Sequence, residues 1–196
     1  MSYSAREMKS IARHVVVGVT GSIAAYKSAE LVRLLKKQGW NVSVIMTQAA
    51  TRFVGELTFR TLSQNPVGID MFDVPDEWCP EHISMADWAD AVLIAPCTAN
   101  VIAKIAHGIA DDLLSATVLA SCAPLMIAPA MNEKMWKNAA TQSNIHLLKS
   151  RGISIVDVES GELACGCQGQ GRMAPVETIL KAFDRMLQKK RPAKTR

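Results

Sequence analysis

At 196 residues with a hydrophobic share of 49%, the chain suits one soluble domain with a sizeable core. No apolar run approaches the roughly 20 residues that a membrane span needs, so a membrane is not an expected partner. The net charge of +4 owes much to the tail KKRPAKTR (189–196), without an aromatic-interleaved basic stripe, which argues against nucleic acid but still suits a phosphorylated small molecule.

The opening MSYSAREMKSIAR carries charges but no apolar block before a cleavage site, so a cytoplasmic location is expected. Residues 1–12 and 189–196 are expected to be flexible ends around a core of about 14–188, in a single domain covering 1–196. Short aliphatic runs then recur: VVVGV (15–19), VSVIM (42–46), AVLIAP (91–96), PLMIAP (124–129) and ISIVDV (153–158). Their lack of alternation predicts parallel strands buried on both faces.

Helical patterns separate these runs. After the first, Gly18 and Gly21 allow a tight turn, Ser22 is the expected N-cap, and Leu31, Leu34 and Leu35 form a stripe that Gln38-Gly39 closes. TANVIAKIAHG places Val101, Ile102, Ile105 and Ala106 on one face, with Gly108 at its end. DDLLSATVLAS begins with two acids, which suit the positive end of a helix dipole. Val176, Ile179, Leu180, Phe183 and Leu187 trace the last stripe, with Pro175 at its first turn. Alternating strands and helices predict an α/β fold, a Rossmann-like (flavodoxin-like) doubly wound parallel sheet with helices on both faces. Residues 65–84 and 160–175 are the least regular, and loops of that length are often functional.

In an open parallel sheet, ligands bind beyond the carboxyl ends of the strands. There, GVTGSIAAYK (18–27) offers Gly21, Ser22 and the first helical N–H groups to a phosphate, although it matches neither the phosphate-loop nor the three-glycine dinucleotide pattern. Thr47 follows the second run, while Thr98 and Asn100 open the helix after the third, where Thr98 is also a natural N-cap. His82 lies in the irregular loop CPEHIS, where an imidazole is a candidate acid or base. PAMNEKMW (129–136) reads either as the first turns of a core helix or as a segment that grips a ligand.

The odd set Cys79, Cys97, Cys122, Cys165 and Cys167 predicts reduced thiols, and the Cys165-Gly166-Cys167 spacing does not suit zinc, so no metal is expected.

Taken together, GSIAAYK (21–27), the long block 82–114, PAMNEKMW and ACGCQGQGRM (164–173) resemble the flavin-dependent cysteine decarboxylase family, in its coenzyme A biosynthetic branch. The resemblance implies FMN at a subunit interface, in homotrimers or trimer-based dodecamers. Gly21, Ser22 and Ile23 would contact its phosphate, with Thr47, Phe53, Thr98, Asn100 and Met131 completing the flavin site. His82 matches the family's active-site histidine, and Asn132 its carboxylate-binding asparagine, with Met135 beside it. Cys165, flanked by Ala164 and Gly166, matches a loop cysteine that closes over substrate and donates a proton late in the reaction. The implied substrate is 4'-phosphopantothenoylcysteine, decarboxylated through a thioaldehyde and an enethiolate.

Cys97 stands where alanine is usual, Val101 replaces a common threonine, and Pro175 comes one position early. With nothing after the last helix, a stand-alone decarboxylase is expected, the phosphopantothenate–cysteine ligase being a separate protein. The alternatives are a peptidyl-cysteine oxidative decarboxylase and a non-catalytic FMN-binding regulatory subunit.

Overall fold

The computed structural model describes residues 13–72, 81–162 and 168–190; the expectations for residues 1–12 and 191–196 lie outside them. The aliphatic runs form strands because only a doubly covered sheet buries both faces of such a segment. Strand β1 (His14–Val19) leads through helix α1 (Ala25–Lys37) to β2 (Asn41–Met46). A short 3₁₀ turn (Ala50–Arg52) and α2 (Glu56–Ser63) precede β3 (Val67–Gly68). Helix α3 (Glu81–Trp88) enters β4 (Ala91–Cys97), every residue of which is buried. Then come α4 (Ala99–His107), α5 (Leu113–Ala120), β5 (Leu125–Pro129), α6 (Glu133–Lys137), α7 (Ala139–Ser150) and β6 (Ser154–Ile155). An antiparallel hairpin of β7 (Glu159–Glu162) and β8 (Gln168–Arg172) precedes α8 (Val176–Lys190).

The six-stranded sheet has the order β3-β2-β1-β4-β5-β6, and all its pairs are parallel. The chain winds outward from β1 to β3, returns to place β4 against β1, and winds the other way. This is the Rossmann order, with its crevice where β1 and β4 diverge. One core lies where Leu31 and Leu35 of α1 and Ile179 and Phe183 of α8 cover the sheet. The other lies on the opposite face, under Ile102 of α4, Leu114 of α5 and Leu148 of α7. Helices on both faces are therefore as expected.

Helix α5 is capped by Asp112, whose carboxylate accepts the Ser115 N–H at 2.8 Å while the Ser115 hydroxyl accepts the Asp112 N–H at 3.3 Å. Lys104 from α4 bridges Asp111 and Asp112, each at 2.6 Å, and so ties the end of one helix to the start of the next.

Three expectations change. The run 153–158 pairs only at Ser154–Ile155, with one further bond from Val156 N–H to the Ile127 carbonyl at 3.0 Å, because it lies at the sheet edge and turns away into the hairpin. Residues 65–84 contain β3 and the start of α3, and residues 160–175 contain most of the hairpin. QGQGR pairs through its backbone and so carries no apolar signature. Gly18 lies inside β1 rather than in a turn: a Cβ there would stand 2.7 Å from Leu114 Cδ1, so the glycine lets α5 close on the sheet.

Candidate functional site

The four adjacent strands β2-β1-β4-β5 release their chains at the same edge, and most of the candidate residues stand there. After β1 the chain makes a turn before α1. The Ser22 N–H donates to the Thr20 carbonyl at 2.8 Å, and the Ser22 hydroxyl accepts the Ala24 N–H at 3.3 Å. Ser22 is therefore not the helix N-cap. That position falls to Ala24, whose side chain makes no capping bond, because the turn takes two more residues than the pattern suggested. Among the described residues, the N–H groups of Gly21 and Ile23 have no partner. A Cβ on Gly21 would collide with that of Ala49, so the glycine lets the loop after β2 press against this turn.

In that second loop, the Thr47 N–H donates to the Val19 carbonyl at 3.0 Å and its hydroxyl accepts the Ala50 N–H at 3.3 Å. Phe53 closes the 3₁₀ turn and is 48% exposed, while Ile23 across the turn is 59% exposed. Two large apolar side chains left to solvent beside unpaired peptide N–H groups suit a ligand with an anionic end and a flat apolar part.

After β4, Thr98 caps α4, accepting the Val101 N–H at 3.5 Å, and Asn100 is exposed in the first turn. Cys97 just before it is fully buried, and burial pushes its thiol pKa far up, so it is an inert packing group. After β5, the Ala130 N–H donates to the Cys97 carbonyl at 3.0 Å, which joins the two strand ends. Asn132 caps α6, its Oδ1 accepting the Lys134 N–H at 2.9 Å, so Nδ2 is the end of the side chain that donates. Of the apolar residues in this segment, Met131 and Trp136 pack against the α4–α5–α7 core, whereas Met135 is 49% exposed.

The β7–β8 hairpin docks on this segment. The Met131 N–H donates to the Gly171 carbonyl at 2.9 Å, and Glu133 accepts the Gln170 N–H at 3.3 Å. Gly171 has φ +129°, and a Cβ on it would strike the Met131 carbonyl oxygen. Cys165, Ala164 and Gly166 lie outside the described residues, in the connection between the two strands. At the hairpin's base, partial burial and the nearby Arg172 hold the Lys27 ammonium below its usual pKa, against an opposing pull from Glu159.

His82 does not join this cluster within one chain. It occupies the first turn of α3, next to Glu81, whose Oε1 would lie 3.1 Å from a Cβ on Gly68 at the end of β3. From β3 to β5 is four strand spacings, about 19 Å at the usual separation. Its Nδ1 is buried and has no hydrogen-bond partner among the described residues. Sequence reasoning missed Thr20, Glu133 and Gly171. The signal for Thr20 was a hydroxyl directly after the apolar run VVVGV; the other two act through a contact between distant segments.

No group of three or more His, Cys, Asp or Glu among the described residues could hold a metal ion, and no helix among them is long and apolar enough to cross a membrane.

The model of the Flavoprotein family matches residues 2–188. The coenzyme A biosynthesis bifunctional protein CoaBC of Haemophilus influenzae is 46% identical over 176 residues, which are 90% of this chain and 44% of that protein. The chain thus spans less than half the length of this curated relative. A PPC decarboxylase mutant complexed with pantothenoylaminoethenethiol superposes with a TM-score of 0.81 at 29% identity, covering 90% of this chain and 99% of that one. The FMN-dependent cysteine decarboxylase SpaF gives a TM-score of 0.72 at 31% identity, over 88% of this chain and 98% of its own.

Proposed function

Because the chain belongs to the flavoprotein family, we propose that it binds FMN and decarboxylates 4'-phosphopantothenoylcysteine to 4'-phosphopantetheine. The observation that carries this reading is the meeting, on adjacent strand ends, of the Gly21–Ile23 turn, the Thr98 cap and the Asn132 cap. The residues present fit FMN. The unpaired Gly21 and Ile23 N–H groups and the Ser22 hydroxyl suit its phosphate, while Thr47, Thr98 and Asn100 offer polar contacts and Ile23, Phe53 and Met131 apolar ones.

Held by the Gly21–Ile23 turn, Thr47, Phe53, Thr98, Asn100 and Met131, FMN would supply two-electron redox chemistry at the substrate carbon that bears sulfur. Oxidation there makes a thioaldehyde β to the carboxylate, an electron sink into which the carbon–carboxylate bond can break. Carbon dioxide leaves an enethiolate, and reduction gives the aminoethanethiol product without net redox change. Asn132 Nδ2 donates to the substrate carboxylate and fixes its orientation, with Met135 beside it, and the family pattern assigns Ala164 and Gly166, outside the described residues, to the same substrate. His82 serves as base or hydrogen-bond partner in the oxidative step. Cys165 donates the proton that completes the product.

The separation of His82 from Asn132 supports a homo-oligomer, a trimer or trimer-based dodecamer, in which a neighbouring copy supplies His82 to each site. The substrate requires a ligase that joins cysteine to phosphopantothenate, and a cytoplasmic enzyme would meet it there.

The test is to purify the protein, record its flavin spectrum, and incubate it with 4'-phosphopantothenoylcysteine while following product mass. Loss of 44 Da, about the mass of carbon dioxide, with the thiol retained is expected. Loss of 46 Da, about two hydrogens more, from a peptide ending in cysteine, without turnover of the small molecule, would instead identify a peptidyl-cysteine oxidative decarboxylase. A bound flavin with neither reaction would indicate a regulatory subunit.

A further inference from the structure

We propose that Thr20 is a positioning residue that holds the two walls of the flavin crevice at a fixed spacing; this deepens the FMN reading above and rests on it. Thr20 is completely buried directly after β1, where β1 and β4 diverge. Its hydroxyl donates to the Pro96 carbonyl at 2.8 Å and accepts the Thr98 N–H at 3.1 Å. Its own carbonyl accepts the Ser22 N–H at 2.8 Å. One residue is therefore bonded through its backbone to the Gly21–Ile23 turn and through its side chain to the loop that ends in Thr98.

The span it ties is irregular: the pairing of β4 with β5 shifts register between Ile94 and Cys97. The Thr20 hydroxyl supplies both a donor and an acceptor to that irregular stretch, so a residue of the same shape without the hydroxyl leaves a buried carbonyl and a part-buried N–H without their partner. Both groups can regain partners only if the Thr98 loop moves, and Thr98 and Asn100 move with it. A second buried hydroxyl provides an internal comparison. Ser28, also fully buried, donates from α1 to the Ala95 carbonyl at 2.6 Å, one residue earlier in the same strand, and has no bond to Thr98.

The experiment compares wild type, Thr20→Val, Thr20→Ser and Ser28→Ala as purified apo proteins. It measures FMN Kd by quenching of flavin fluorescence, melting temperature without FMN, and the bound-flavin circular dichroism. Thr20→Val is expected to weaken FMN about tenfold or more and to change the bound-flavin signal. Thr20→Ser keeps both hydrogen bonds and restores affinity to near that of wild type, and Ser28→Ala lowers the melting temperature with FMN affinity retained. If Thr20→Val does not fold, Thr20→Ala, which deletes the same hydroxyl, takes its place under the same criteria. Wild-type affinity in the hydroxyl-deleted protein overturns the inference. So does an equal loss in Ser28→Ala, which would make the effect one of general strand seating. A wild-type protein that binds no FMN refutes the FMN reading itself, a distinct result.

Discussion

Replacing Gly171 by alanine should release the β7–β8 hairpin without unfolding the domain. At φ +129°, a residue with a side chain is strained by about 1–3 kcal/mol, and the new Cβ would also strike the Met131 carbonyl oxygen. Opposing that strain, the docking bonds among the described residues are Met131 N–H to Gly171 and Gln170 N–H to Glu133. At about 1 kcal/mol each, they contribute about 2 kcal/mol, so the strain is comparable with the docking energy or exceeds it. Undocking therefore caps the global cost near 2 kcal/mol, and the melting temperature should fall by no more than about 4–8 °C. Function should suffer far more, because the hairpin carries the connection that contains Cys165. Hydrogen exchange should show lost protection at Met131 and along 168–172 with the β1–β4 amides unchanged, while decarboxylation falls by about tenfold or more with FMN still bound. Wild-type exchange at the hairpin together with wild-type turnover would refute the reasoning.

His82→Asn should abolish decarboxylation while the protein retains its flavin spectrum; normal turnover would remove His82 from the reaction. Cys165→Ser should stall after carbon dioxide is lost and accumulate an enethiol two hydrogens short of product, visible by mass spectrometry; full product at the wild-type rate would make that thiol dispensable. Asp112→Ala should cost about 1–2 kcal/mol, from a lost N-cap and a lost partly buried partner for Lys104, read as a lower melting temperature at neutral pH. Burial alone would raise the Asp112 pKa, but the Lys104 and Ser115 hydrogen bonds outweigh it and hold it below the usual carboxylate range. Its contribution is therefore complete above the unfolded value and is lost as pH falls through the lower folded one, so the gap between wild type and variant should narrow below about pH 4. A gap unchanged at acid pH would contradict this.

The sheet was legible because burial on both faces leaves few residue types open to a strand, as the wholly buried β4 illustrates. Helix stripes were legible for the related reason that one face must meet the sheet, and Val101, Ile102 and Ala106 of α4 all do. The hairpin was not, since glutamine and glycine in β8 pair through backbone groups that every sequence possesses. Nor could local pattern separate a glycine needed for a turn from one needed for close approach: Gly18 yields to Leu114, nearly a hundred positions away along the chain. In the candidate site, strand ends were found from position alone. The joins between them, Thr20 to Pro96 and Met131 to Gly171, depend on which distant segments the fold brings together.

The two outermost strands, β3 and β6, are each only two residues long. A free strand edge is a template on which another chain can polymerise, and its hold grows with the number of unpaired backbone groups it presents in a row. Here both borders offer too little backbone to recruit a stranger. Close encounters between copies at high local concentration would therefore tend to leave the parallel sheet six strands wide. The brevity of two peripheral strands protects the chain against runaway fibre growth, a safeguard that costs the crevice between β1 and β4 nothing.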